Sequence, residues 1–307
     1  MAPPRPGHLL PAESGTSIGT QTAMTPSSEH PLKIGLITDI HLGPDRETRR
    51  GTQAERLIGA FLEDMRQFAP AFIVDLGDRI MEVDGPTDRQ HTRLVRDLLG
   101  RGGVPVHHLI GNHDVAHLAK RDLLGLLDLP APYRTVDAGP YRCLFLDSTD
   151  PVVGEYGGHI SDGQLAWLQA ELSASAQPVL VFCHHALDDQ PIQRNPLFQE
   201  HPEWAMVENR LAVRRLLSQS GNVAAVVTGH THWNRSAWVD GIPYLSIQCL
   251  VETWTTHGTP AGAYGKLRFT PDGQGSLSVE GHDPLATDLP LPRPRTLRAE
   301  QPQRPQA

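Results

Sequence analysis

Apolar positions along the chain recur with two alternating periods. Lys33 to Thr38 is a short, apolar and β-branched run, the pattern of a strand covered on both faces. Ala54, Leu57, Ile58, Phe61, Leu62, Met65 and Phe68 then repeat at three- and four-residue intervals, which predicts a helix over Thr52 to Phe68 with one buried face. The alternation continues with strands over Ala71 to Asp75, Val104 to Ile110, Tyr141 to Asp147, Pro178 to Cys183 and Asn222 to Thr228. Between them the pattern predicts helices over Thr87 to Leu99, Val115 to Leu127, a segment opened by Ser161 and Gln164 in capping-box positions, and Trp204 to Gln219. After Thr228 the helices stop. Strands are expected over Arg235 to Val239, Tyr244 to Gln248, Tyr264 to Phe269 and Ser276 to Glu280, with turn signals at Asp240 and Asp272, each followed by Gly. Strand–helix units that give way to strands predict a mixed sheet, or two stacked sheets, flanked by helices.

The two ends carry no such pattern. Residues 1–30 are rich in Pro, Ser, Thr and Gly and are expected to form a disordered arm; residues 286–307 alternate Pro with Arg and Gln and are expected to form a disordered tail. The ordered domain is therefore expected over 31–285. No run of about 18 apolar residues suggests a membrane span, and no apolar leader segment is evident, which makes the cytoplasm the default location. Hydrophobic residues at 39% and charged residues at 20% suit a globular chain, and a formal net charge of −8 argues against a nucleic-acid surface. Cys143, Cys183 and Cys249 form no closely spaced pair and read as buried thiols of a reducing compartment.

Histidine, at 16 residues, changes the picture. Five apolar runs end on polar clusters: Asp39 and His41; Asp78; Asn112, His113 and Asp114; His184 and His185; His230 and His232. In three of them a Gly directly precedes the polar residue, which allows a sharp turn and a close approach at the sheet edge. One such cluster is ordinarily a turn. Five at strand ends would bury carboxylates and imidazoles with nothing to compensate them. Ligands in open α/β sheets sit at the carboxyl ends of strands. Carboxylate, imidazole and one amide suit Mn, Fe, Zn or Co, and they are too many for one tetrahedral ion. Two ions about 3.5–4 Å apart are a known clamp for phosphoryl displacement.

The series D-x-H, G-D, G-N-H-D, H and G-H-x-H, each after a strand, resembles the calcineurin-like metallophosphoesterase superfamily over roughly Lys33 to Glu280. That resemblance implies a four-layer αββα sandwich of two mixed sheets and a binuclear metal site. By motif, Asp39, His41, Asp78 and His232 would hold one metal, and Asp78, Asn112, His184 and His230 the other. His113 would face the substrate phosphate, as would Asn112, while a metal-bridged hydroxide attacks phosphorus in line. Asp114 is the adjacent candidate to orient His113 as a general acid, His185 is expected behind the ligands, and Asp75 and Asp147 are expected there or in structural roles.

The implied substrate is a small-molecule phosphoester. The segment from Gly157 to Leu172 is similar to class III cyclic-nucleotide phosphodiesterases, and that from Leu250 to Phe269 to manganese-dependent ADP-ribose/CDP-alcohol diphosphatases. Both favour a phosphodiester or pyrophosphate of a nucleotide; a phosphomonoesterase is the alternative, with a nuclease or a non-catalytic scaffold behind it. Purple acid phosphatases have a Tyr three residues after the G-D Asp, where this chain has Met81. Two long segments, Ala186 to Glu203 and Val251 to Ala263, are expected to form binding loops, with Trp254 placed to stack on a base.

Overall fold

The computed structural model describes residues 30–153 and 156–289. Its strands are β1 (Leu32–Ile37), β2 (Phe72–Asp75), β3 (Val106–His108), β4 (Arg134–Ala138), β5 (Tyr141–Phe145), β6 (Val179–Phe182), β7 (Val223–Thr228), β8 (Arg235–Val239), β9 (Ile242–Ser246), β10 (Tyr264–Phe269), β11 (Gly275–Glu280) and β12 (Leu285–Leu289). The helices are α1 (Ala54–Phe68), α2 (Gly85–Gly100), α3 (Lys120–Leu126), α4 (Asp162–Ala174) and α5 (Arg210–Ser220).

Two six-stranded sheets form, in the orders β12-β11-β10-β1-β2-β3 and β4-β5-β6-β7-β9-β8. Both are mixed. β1, β2 and β3 run parallel, as do β5, β6, β7 and β9, and antiparallel strands complete each sheet. The period of two along a strand sorts its side chains between layers. Ile34 and Leu36 of β1 meet Phe145 of β5 and Phe182 of β6 in the core between the sheets. Ile37 of β1 and Ile73 of β2 face the other way, onto Ile58 and Phe61 of α1 and Val95 of α2. On the far side, Leu144 and Val181 pack under Leu168 of α4 and Val213 of α5. The result is the expected four-layer αββα sandwich.

Several boundaries differ from the pattern. β4 and β12 were not expected. Both are edge strands with half-exposed, polar alternation, and a sequence such as Arg134-Thr-Val-Asp-Ala carries little apolar signal. The expected tail start at 286 is corrected by β12: it pairs with β11 from Leu285 to Leu289, and Leu289 is buried in the inter-sheet core. The remainder of the tail, and the N-terminal arm apart from His30, lie outside the described residues. α3 is shorter than expected, because His113–Val115 form a separate 3-10 turn whose first N–H is drawn to Asp78 Oδ1 at 2.9 Å. α5 starts later, since Met206 is extended and bridges Ala186. At α4 Ser161 caps the Gln164 N–H, but the Gln164 amide turns away to hold both backbone groups of Asp147, so the capping box stays open. Among the described residues no helix is long and apolar enough to cross a membrane.

Candidate metal centre

The carboxyl ends of β1, β2, β6 and β7, and the loop after β3, deliver their polar clusters to one place. Each chain must turn within two or three residues of its strand. Of the ten non-glycine residues with positive φ among the described residues, five are Asp39, His41, Asp78, His230 and His232. Left-handed backbone at such residues costs on the order of 1 kcal/mol or more each and persists where the surroundings fix it. Glycine supplies the close approaches. A Cβ on Gly229 would stand 2.0 Å from Thr38 Oγ1, and one on Gly111 would stand 2.1 Å from Asp78 Oδ1.

The tautomers of this cluster are set from behind. His184 Nδ1 lies 3.0 Å from Leu76 O, His232 Nδ1 2.9 Å from Glu252 Oε2, His230 Nε2 2.9 Å from Trp204 O, and His41 Nδ1 3.4 Å from Ile80 O. Those partners are acceptors, so each ring gives its proton to the rear and presents a lone pair inward. The inward nitrogens then face further lone pairs. His41 Nε2 is 3.1 Å from His232 Nε2, and His232 Nε2 is 3.2 Å from Asp39 Oδ1. His184 Nε2 is 3.3 Å from Asp78 Oδ2 and 3.2 Å from Asn112 Oδ1. All these residues are buried, and Asp39 Oδ1 has no hydrogen-bond partner among the described residues. Donor atoms this close repel unless positive charge sits among them. The donor set therefore fits cations.

In the bare protein, protons take up part of that role. Burial disfavours the His184 imidazolium, but the Asp78 carboxylate outweighs it and raises the group to about 9. Burial, with neighbouring imidazoles, holds His41 and His230 well below the usual histidine value. Cys249 adds a thiol that the sequence pattern did not bring here. Its Sγ donates to the Asp39 carbonyl at 3.0 Å and lies within 4.8 Å of ring nitrogens of both His41 and His232.

His185 is spoken for on both nitrogens, by Ser148 Oγ at 2.8 Å and Tyr156 O at 2.7 Å, and burial followed by the neighbouring His184 lowers it to about 3. It is a neutral wedge behind His184. Asp75 pairs with Arg79 at 2.5 Å and His108 at 2.8 Å, and Asp147 with Lys120 at 2.5 Å.

Asp114 is corrected. Its carboxylate is fully buried and accepts from the backbone N–H groups of Asp78, Arg79 and Gly111 and from Arg79 Nη1 at 2.7 Å. It braces the Asp78 turn, because side chains of neighbours in sequence diverge. The partner of His113 is instead Glu82, which accepts from Nδ1. Against the burial that would raise it, that imidazole draws the Glu82 carboxyl down to about 2, and Arg46 grips Glu82 from the other side. His113 Nε2 points toward Asp78 Oδ2 at 3.9 Å and Arg49 Nη1 at 3.4 Å. Glu82 follows Asp78 by four residues, and only the spacing within that turn could have singled it out.

Above this floor opens a cleft of about 310 Å³. Asp78, Asn112, His113, His230 and His232 line it together with Tyr156, Phe198 and Trp204, and Glu47 and Arg49 complete the lining; the Tyr156 ring stacks on His113 at 5.4 Å and that of Phe198 lies 4.9 Å from His230. The long segment after His184 supplies Phe198 to the lining. Trp254 is corrected: it is absent from the lining, and its ring turns to Trp233, 6.3 Å away. The contribution of that second loop is Glu252, whose Oε2 orients His232 and whose Oε1 accepts from the N–H groups of Thr253 and Trp254.

Residues 32–234 match the sequence profile of the calcineurin-like phosphoesterase family. The cAMP/cGMP dual specificity phosphodiesterase of Mycobacterium tuberculosis is 29% identical over 224 residues, 71% of this chain and 68% of its own length. A probable cyclic nucleotide phosphodiesterase of Psychrobacter arcticus is 24% identical over 249 residues, 75% of this chain and 83% of the relative. Among solved structures, a dimetal phosphatase from Danio rerio aligns with a TM-score of 0.70 at 19% identity, covering 84% of this chain and 99% of that one, a likeness of fold.

Proposed function

The chain belongs to the calcineurin-like phosphoesterase family, and from that premise we propose that it hydrolyses a phosphodiester or pyrophosphate bond in a nucleotide-like small molecule. The observation that carries the reading is the cleft itself. Inward lone pairs and the rings of Tyr156, Phe198 and Trp204 line the same cleft, with Tyr156 and Phe198 packed beside His113 and His230. A phosphoryl group drawn to the lone pairs brings a base or other flat group among these rings, where aromatic stacking is worth about 1–3 kcal/mol per base. The relatives whose names specify cyclic nucleotides support the same class.

Asp39, His41, Asp78 and His232 would hold one cation and Asp78, Asn112, His184 and His230 the other, with Asp78 shared. Mn, Fe, Zn or Co suit these donors. When bound, such a pair supplies Lewis acidity toward phosphoryl oxygens and makes water nucleophilic near neutral pH. Glu252 fixes the His232 tautomer from behind. Asn112 points its amide at the cleft, and its Nδ2 has no partner among the described residues, so it is left for a phosphate oxygen. His113, held through Nδ1 by Glu82, turns Nε2 toward the cleft, where it delivers a proton to the leaving oxygen or meets the charge developing there. The cysteines, all free and buried, suit a reducing cytoplasm.

The test is turnover by purified, Mn-loaded protein against 3′,5′-cyclic nucleotides, nucleoside diphosphate esters, bis-p-nitrophenyl phosphate and p-nitrophenyl phosphate. The reading predicts diester or pyrophosphate hydrolysis with the highest kcat/KM. A highest kcat/KM on the monoester contradicts it.

A further inference from the structure

The lining of the cleft carries a cation that the metal centre does not use. Among the described cleft-lining residues Arg49 is the one lysine or arginine. It stands at the end of a tight turn, bridged to Arg46 through its backbone. Its side chain is only 10% exposed, and Nε has no hydrogen-bond partner among the described residues. Nη1 reaches His113 Nε2 at 3.4 Å, and Nη2 donates to Glu47 Oε2 at 3.0 Å. The two partners of this guanidinium differ in kind. His113 belongs to the catalytic side of the cleft. Glu47 is 64% exposed on its side chain and holds a positive φ of 50°. An ion pair with so exposed a carboxylate is weak and readily exchanged for another anion. A largely buried guanidinium with a free donor is the opposite: it demands a counter-charge, and its planar fork matches the oxygens of a phosphate.

We propose that Arg49 is a specificity-determining residue that binds a second anionic group of the substrate, next to the leaving oxygen that His113 faces, and that Glu47 is its stand-in partner until the substrate arrives. The substrate class is a nucleotide in which another phosphate adjoins the one attacked, as in nucleoside diphosphate esters. A singly charged diester, cyclic or aryl, offers Arg49 nothing beyond the phosphoryl group already held at the floor. This inference rests on the phosphoesterase reading and narrows its substrate.

Kinetics of wild type, Arg49→Ala and Glu47→Gln on ADP-ribose and on bis-p-nitrophenyl phosphate test it, with equilibrium binding of ADP by calorimetry alongside. For Arg49→Ala the loss in kcat/KM on ADP-ribose should exceed the loss on the aryl diester by about 10–100-fold, the range of a charge-assisted hydrogen bond. ADP binding should weaken by a similar factor. Glu47→Gln removes the competing carboxylate at an exposed position, where folding is not at risk, and should lower KM for ADP-ribose and tighten ADP binding by about 3–10-fold. Equal losses on both substrates in Arg49→Ala would mean that Arg49 acts only through His113 and would overturn the proposal. So would unchanged ADP binding in Glu47→Gln. Wild-type protein that turns over neither substrate would contradict the phosphoesterase reading instead, and the ADP binding data would still decide the role of Arg49.

Discussion

Changing Glu82 to Gln removes one negative charge behind His113 and leaves the shape of the side chain intact. In the native protein the Glu82 carboxylate accepts from His113 Nδ1, and Arg46 Nη1 and Nη2 fix it through its Oε1 and its backbone carbonyl. A hydrogen bond to a charged group contributes about 1.5–3 kcal/mol, and each 1.4 kcal/mol is a tenfold rate factor, so full loss would cost about 10–150-fold. Glutamine still offers a carbonyl oxygen, so the lower part of that range applies. The expected outcome is a kcat about 10–50-fold lower on substrates with a ribosyl or alkyl leaving group. The loss should be only a few-fold on bis-p-nitrophenyl phosphate, whose nitrophenolate departs without a proton. His113→Ala should cost about 10²–10⁴ on the same poor leaving groups. Because Glu82 is assigned a role only through His113, adding Glu82→Gln to His113→Ala should change kcat by less than about twofold. Steady-state kinetics of the four proteins, each checked for metal content, complete the cycle. Additive losses would refute the assignment, as would a Glu82→Gln loss that ignores the leaving group.

The same reasoning extends to other positions. Glu252→Gln should loosen the orientation of His232 and weaken metal binding by about 10–100-fold in a competition titration, with no gross change in circular dichroism; unchanged affinity would contradict the rear contact. Glu82 and Glu252 are both drawn to about 2 from an ordinary value of 4.5, by their histidine partners and against burial. Depressed carboxyls contribute stability that is full above pH 4.5 and lost as pH falls toward 2, so the metal-free protein should lose melting temperature through that window; a flat profile from pH 5 to 3 would refute it. Gly111→Ala drives a methyl group to 2.1 Å from Asp78 Oδ1 and 2.5 Å from Asp78 N. It should cost about 1–3 kcal/mol in stability and disturb metal content, read by calorimetric melting and elemental analysis; wild-type values for both would contradict the close packing described.

What the sequence made legible follows from locality. A strand, a glycine and a donor residue lie within a few positions of one another, so each cluster can be read in place, and the sheet then collects them. The alternation of Ile34 and Leu36 with Ile37 likewise announces two covered faces. The supporting residues have no such local sign. Glu82 meets His113 across 31 positions and Glu252 meets His232 across 20. Cys249 reaches Asp39 across 210, through sheet pairing that no short window encodes. Proximity in sequence misled for Asp114, which sits beside His113 yet turns its carboxylate to the Asp78 backbone. Composition misled for Trp254, an aromatic in a long loop that packs on Trp233 while Phe198 and Trp204 line the cleft. β4 and β12 escaped because half-exposed edge strands carry a weak apolar pattern.

The central claim is that Asp78 is shared by two cations whose remaining donors come from the four other strand-end clusters. Elemental analysis of the purified wild type, Asp78→Ala and Asn112→Ala proteins, after loading with Mn and removal of loose metal, tests it most directly. The account predicts two ions per wild-type chain, about one in Asn112→Ala and close to none in Asp78→Ala. Two ions retained in Asp78→Ala, or a single ion in the wild type that Asn112→Ala leaves in place, would contradict it.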